Sequence, residues 1–321
     1  MNKKIIIIGG DPNSINSEII CKVWRKISSK TRDKIYLITN YNMFKAQKDK
    51  LNFKIKLEKV ENISKKSKLN NLKILDINLK FKNPFKVPNK ESANFVIESL
   101  NLAHKLALNK EIKGIINCPI KKILLKKTKK IGVTEFLASK NNVEKDSEVM
   151  LIYNKKFSVS PLTTHINIDK ITKRIKKDLL VKKIKTINKS FKKLFNKNPK
   201  ICVLGLNPHN SEYSKSSKEL KIIKPTILSL KRDGLKVFGP YSADTVFIKD
   251  YKFFDMILGM YHDQVLGPFK SIFKFDAINI TLGLQYIRVS PDHGTATNLI
   301  KKNKASPLSL LRCVEFLNKI N

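Results

Sequence analysis

The 321-residue sequence predicts an α/β fold with a mainly parallel sheet. Strand-like and helix-like stretches alternate along the whole length, and the strand-like runs are continuously apolar, as strands buried on both faces are. An apolar content of 41% is ample for sizeable cores in one large domain or two medium ones.

The elements follow in order. Ile5–Ile8 reads as a first strand, Glu18–Ser28 as a helix and Ile35–Thr39 as a second strand. The polar, Lys-rich segment 61–90 reads as a loop with one edge strand. Residues 89–109 carry Ala93, Val96, Ile97, Leu100, Ala103 and Leu106 at helical spacing. Gly114–Cys118 is a strand stopped by Pro119, and Val149–Tyr153 and Val159–Thr163 read as neighbouring strands. A single long helix is expected over 169–195, because Ile171, Ile175, Leu179, Ile184, Ile187, Phe191 and Leu194 form one apolar stripe with Lys elsewhere. Ile201–Leu206 and Met256–Met260 are further buried strands, and 307–319 is a terminal helix with Pro307 in its first turn.

The formal net charge is +39, which raises nucleic acid or an anionic membrane as partners. The kind of base argues against both. Of the 65 basic residues only six are Arg, at 25, 32, 174, 232, 288 and 312. Nucleic-acid surfaces lean on Arg for bidentate contacts, whereas Lys here is scattered over the whole chain. No specific nucleic acid and no membrane partner are expected. Four cysteines (21, 118, 202, 313) show no paired spacing and read as reduced, buried thiols. The four-residue apolar run near the N-terminus is too short for a signal core, and no run reaches the roughly 18 residues of a span. A soluble, cytoplasmic protein is expected.

Ligands of α/β sheets bind beyond the carboxyl ends of strands, so polar residues there are the candidates. The first strand ends in Gly9-Gly10-Asp11-Pro12, which is not a dinucleotide glycine fingerprint. There are five histidines; His104 sits mid-helix and reads as structural, while His165, His209, His262 and His293 all follow apolar strands. Each alone reads more readily as a structural or turn histidine than as a ligand; together they point to one rim. Three neutral imidazoles bind Zn2+ or another borderline divalent ion and leave positions open for substrate. Asp263 is either a carboxylate that orients His262 or a solvated loop residue. Lys270, Asn279, Arg288 and Thr134-Glu135 offer the cations, amide and hydroxyl that suit a small phosphate.

The motifs "TTH", "GLNPH", "GPYSADT", "YHDQ", "NITLGL" and "IRVSPDHGTA", with "GDP" near the start and "TEFLA" at 134–138, resemble the 4-hydroxythreonine-4-phosphate dehydrogenase family in order and spacing. The resemblance implies two α/β/α domains with a cleft between them, similar to isopropylmalate and isocitrate dehydrogenases. It places 1–130 with 285–321 in the first domain, which holds both termini and the adenosine segment, and 131–284 in the second, which carries the metal ligands and the dimer contact. It implies a homodimer with a shared active site. It implies His165, His209 and His262 as metal ligands, Thr134, Lys270, Asn279 and Arg288 as substrate contacts, and His293 and Asn298 toward NAD (or NADP). Asp244 and Asp263 would support the ligating imidazoles. One divalent metal is implied per site, Zn2+ first, with Co2+ or Mg2+ as alternatives. The reaction implied is metal-assisted oxidation of a phosphorylated hydroxy amino acid in vitamin B6 synthesis, or of a related acid such as a phospho-threonate or erythronate.

Two departures stand out. Val133 occupies the place of a family histidine in "GVTE", and the loop after His209 reads Asn210-Ser211-Glu212-Tyr213-Ser214-Lys215 where the family has glycines. Valine removes a polar contact, and Lys215 is a candidate replacement for a phosphate partner.

Overall fold

The computed structural model of the protein describes residues 3–63, 70–129, 132–141, 143–144 and 146–320. The chain packs as two compact units, Met1–Asn141 with Gln285–Lys319, and Asn142–Leu284 with Ile320–Asn321.

In the first unit the strands are β1 (Lys4–Ile8), β2 (Ile35–Thr39), β3 (Leu57–Val60), β4 (Leu72–Asp76) and β5 (Ile112–Asn117). The second unit holds β6 (Val149–Asn154), β7 (Phe157–Thr163), β8 (Ile201–Leu204), β9 (Val237–Tyr241), β10 (Met256–Tyr261) and β11 (Ile278–Leu282); the chain then returns to the first as β12 (Arg288–Pro291). The first unit's strand order is β3-β4-β2-β1-β5-β12, every pairing parallel. Four consecutive isoleucines, 5–8, are all buried at its centre. Helix Asn89–Ala107 packs against β1, β2 and β5, and helix Leu308–Lys319 against β5 and β12.

The second unit runs β11-β6-β7-β10-β8-β9, antiparallel at β11-β6 and β6-β7 and parallel from β7 onward. Its core centres on Phe157, whose ring lies 5.2 Å from Tyr251, 6.3 Å from Phe269, 6.3 Å from Phe273 and 6.5 Å from Phe247. Burial pushes the Cys21 thiol up to about 12, and Cys118, Cys202 and Cys313 are raised by the same cause. All four are free and buried. Among the described residues no helix is long and apolar enough to cross a membrane.

Three expectations change. The stripe expected as one helix over 169–195 is broken: a short helix, Ile171–Arg174, ends at an extended Ile175, and Lys177–Phe195 restarts. Ile171, Ile175 and Leu179 keep four-residue spacing through the break, and all three are buried, so periodicity cannot reveal it. In the Lys-rich segment the strand is β4, which is internal, and the edge is β3. Composition misled because Lys73 is buried along its stem while its ammonium reaches the Asp33 carboxylate at 3.1 Å. Residues 64–69 of that segment lie outside the described residues. The division of the chain falls after Asn141 where 130 was expected, because helix Val133–Lys140 is tied to the first unit. Arg288 reaches Thr134 at 3.3 Å, and the Asn141 amide donates to the Tyr286 hydroxyl at 3.1 Å.

Removing the Phe157 ring should leave a cavity shared by four aromatic neighbours. Phe157→Ala is expected to lower unfolding stability by about 3–5 kcal/mol, measured by urea denaturation.

Candidate active site

The three histidines expected to bind metal all belong to the second unit, beyond adjacent parallel strands in the order β7-β10-β8. Tyr261 pairs with Thr163 across β10 and β7. His262 follows Tyr261 directly and opens helix His262–Phe273, while His165 lies just past β7. The register therefore delivers both imidazoles to one spot, with ring centroids 5.8 Å apart. Two imidazoles on one tetrahedral cation, with metal–nitrogen bonds of about 2.0–2.1 Å, stand roughly 5 Å apart, a spacing close to that of this pair. The His262 Nδ1–H donates to the Asp263 carboxylate at 2.6 Å, which puts the ring's lone pair on Nε2.

His209 is placed differently. It rides on a turn in which His209, Asn210, Ser211, Glu212 and Tyr213 all have left-handed backbone, with φ of 46°, 57°, 51°, 47° and 55°. Its Nε2 lies 3.6 Å from Asp244 Oδ2, and its side chain is largely exposed. Among the described residues no group of three His, Cys, Asp or Glu stands close enough to hold a metal. The structure thus brings together His165 and His262 of the expected triad, with the left-handed turn holding His209 aside. Asp263 touches His262 at 2.6 Å, and Asp244 lies 3.6 Å from His209.

Lys270 follows on the His262 helix, its ammonium 6.0 Å from the Phe275 ring centre. Asn279 lies on β11; its side-chain oxygen is buried and finds no hydrogen-bond partner among the described residues. A buried acceptor left open is costly unless a donor arrives, which is what a ligand contact requires. Lys215 is exposed at the end of the left-handed loop.

The remaining candidates belong to the first unit. Arg288 is the first residue of β12, 4% exposed, and its guanidinium donates from Nε to Asn117 Oδ1 and from Nη1 to Thr134 Oγ1. Burial lowers its pKa to about 10, with Cys313 and Glu135 acting in the other direction. A depressed base costs folded-state stability while it is charged, and the cost is relieved only as pH rises through about 10. At neutral pH the group is a desolvated cation, a strong anion partner. Asn117, at the carboxyl end of β5, was not among the residues expected from sequence. Its position at a strand end was the available signal, but nothing in sequence ties it to an arginine 171 residues away. His293 Nδ1 lies 3.0 Å from the Gly294 carbonyl, and Asn298 is exposed in the turn Thr297–Leu299. Val133 opens the helix that carries Thr134.

The second unit presents imidazoles beyond the carboxyl ends of its parallel strands, and the first buries an arginine held by an amide and a hydroxyl, side chains of the kind an α/β enzyme uses on a small anion. The chain belongs to the family of the pyridoxal phosphate biosynthetic protein PdxA, whose pattern matches residues 31–317. It is 39% identical over 329 aligned positions to the 4-hydroxythreonine-4-phosphate dehydrogenase of Aquifex aeolicus (strain VF5), covering 100% of both chains. It is 33% identical over 224 residues to the D-threonate 4-phosphate dehydrogenase of Pectobacterium atrosepticum, 68% of each chain. A crystal structure of 4-hydroxythreonine-4-phosphate dehydrogenase from Klebsiella pneumoniae superposes with a TM-score of 0.86 at 26% identity, covering 98% of each chain.

Replacing the buried cation by an apolar group of similar length separates function from stability. Arg288→Met is expected to lower kcat/KM by about 10- to 100-fold, the worth of a charged hydrogen bond of about 1.5–3 kcal/mol. The thermal midpoint should fall by no more than a few degrees, because relief of the buried charge offsets part of the cost of leaving the Asn117 oxygen without its donor. Steady-state kinetics and a thermal melt check the two halves.

Proposed function

We propose that this member of the family oxidises 4-phosphooxy-L-threonine with NAD, giving a β-keto acid that loses CO2 to form 3-amino-2-oxopropyl phosphate in pyridoxal phosphate biosynthesis. One observation carries the reading: the chain matches relatives of that activity end to end, with the motif histidines and Arg288 inside the matched length. The hydride leaves the secondary carbinol carbon as its hydroxyl gives up a proton. In the second step the bond to the carboxylate breaks, its electron pair stays on the neighbouring carbon, and a proton returns there.

The residues divide this work. Arg288, held in one orientation by Asn117 and Thr134, receives phosphate oxygens without the cost of ordering a flexible side chain. Lys270 adds a second cation, and the open Asn279 oxygen accepts a donor from the substrate. His165, His209 and His262 are the residues that would hold a divalent metal, Zn2+ by the nitrogen character of the donors. When bound, that ion would supply Lewis-acid polarisation of the substrate oxygen, and the nicotinamide would supply the hydride acceptor. His293 and Asn298 are the proposed contacts to the dinucleotide. The proposal extends to a homodimer and to the cytoplasm, where four buried free thiols would stay reduced.

A second reading has D-threonate 4-phosphate as substrate. Val133 favours it, because a valine offers neither charge nor hydrogen bond to an amino-acid substrate, and a relative of that name matches 68% of the chain. NADH formation with each compound decides between them: the first reading expects the higher kcat/KM with 4-phosphooxy-L-threonine, and the reverse order would replace it.

His262→Ala should lose both bound metal and turnover. Metal analysis and the same NADH assay check this, and full activity in a metal-free variant would sink the mechanism.

A further inference from the structure

The helix that carries Thr134 is held at both ends by the stretch of chain that carries Arg288. At its start, Arg288 Nη1 donates to Thr134 Oγ1 at 3.3 Å. At its end stands Asn141, the residue after helix Val133–Lys140, only 2% exposed. The Asn141 amide donates to the Leu137 carbonyl at 2.7 Å and to the Tyr286 hydroxyl at 3.1 Å. Its side-chain oxygen accepts the Gln285 N–H at 3.3 Å, and its main-chain carbonyl accepts Gln285 Nε2 at 3.1 Å. One residue thus satisfies a carbonyl of the last turn, where helices leave such groups open, and ties that turn to Gln285 and Tyr286, just ahead of Arg288.

The tie is itself braced. The Tyr286 hydroxyl also lies 3.0 Å from His104 Nδ1, and the two rings meet edge to face with centroids 5.7 Å apart. His104 belongs to helix Asn89–Ala107, which packs on β1, β2 and β5, so the clamp is anchored in the core of the first unit. His104, read from the sequence as structural, has a named part in that support. The chain leaves the first unit after Asn141 and returns to it at Gln285. Their hydrogen bonds join stretches 144 residues apart, which no local pattern encodes.

The consequence lies at the other end of the helix. Thr134 and Asn141 are seven residues apart, about two turns, and share one face. A roll or slide allowed at Asn141 therefore reaches Thr134 in full. Loosening Thr134 takes away a hydrogen bond that orients the Arg288 guanidinium. Val133, beside Thr134, offers an anion no side-chain hydrogen bond, so recognition here rests more heavily on how Thr134 and Arg288 are placed.

We propose that Asn141 is a positioning residue for phosphate recognition: through Gln285 and Tyr286 it fixes the helix whose first turn sets Thr134 against Arg288. It does not touch the substrate. The proposal rests on the phosphate reading of Arg288 above, and the test separates the two.

Inorganic phosphate is titrated into the protein and followed by phosphorus NMR, beside steady-state kinetics on 4-phosphooxy-L-threonine with NAD and a thermal melt of each variant. Asn141→Ala is expected to weaken phosphate binding, and to raise KM for the phosphorylated substrate, by about 3- to 10-fold, the usual effect of a lost neutral hydrogen bond. Both kcat and the KM for NAD should stay within about twofold, the pattern of lost ground-state binding. A merely structural role would instead lower the active fraction, and with it kcat, leaving the phosphate affinity of the folded protein unchanged. Tyr286→Phe keeps the ring, removes the acceptor, and should weaken phosphate binding in the same direction. In a Thr134→Val background Asn141→Ala should have little further effect on phosphate, since both act on one path. Wild-type phosphate affinity in both Asn141→Ala and Tyr286→Phe, or fully additive losses in the double variant, would overturn the positioning role. If Asn141→Ala does not fold, Tyr286→Phe and Asn141→Asp, which keeps an acceptor for the Gln285 N–H, decide by the same comparison, wild-type affinity in both overturning it. Failure of the wild-type protein to bind phosphate, or unchanged binding in Arg288→Met, would instead overturn the phosphate reading itself, and this proposal with it.

Discussion

Tyr261 of β10 stands opposite Thr163 of β7, and that register decides where two imidazoles emerge. Parallel strands end on the same side of a sheet, so residues just past them leave at nearly the same height. His165 and His262 meet for this reason. A slip of one residue would send every side chain of β10 to the opposite face and part the pair. The aromatic packing around Phe157 therefore bears on chemistry as well as stability, because it seats the His262 helix, through Phe269 and Phe273, against β7.

The two units treat polar groups by opposite means. In the first, a guanidinium is taken almost wholly out of water, and two of its N–H donors are held by Asn117 and Thr134. The result is an oriented cation whose charge survives burial at neutral pH. In the second, the imidazoles remain partly or largely exposed, and order comes from the backbone beneath them. Gln264 and Glu219 satisfy strand-end and loop N–H groups that the sheet leaves unpaired. An anion partner profits from desolvation, whereas a metal ligand needs access and a fixed direction.

The abundant lysine has a plain physical role in this picture. Most of it lies on exposed positions, and the buried Lys73 covers apolar surface with its stem while reaching Asp33. That behaviour fits a biased surface composition. It also explains why the Lys-rich segment around β4 read as a loop.

Alternation of apolar runs with helical periods was enough to read the α/β class, because burying both faces of a parallel strand demands continuous apolar sequence. The strand-end positions of His165, His209, His262 and His293 were legible for the same reason, and Arg288 drew notice by rarity. The restart at Ile175 was not, since four-residue spacing continues through one extended residue. Nor was the partnership of Asn117 with Arg288, which needs β5 and β12 side by side. The sequence by itself determined the class of fold and the chemical kinds of the candidate residues, which depend on local pattern and side-chain type. Which of them meet, which are buried and which direction each ring nitrogen faces were decided only by strand order, register and the left-handed turn at His209. Those are long-range backbone pairings that no local pattern encodes.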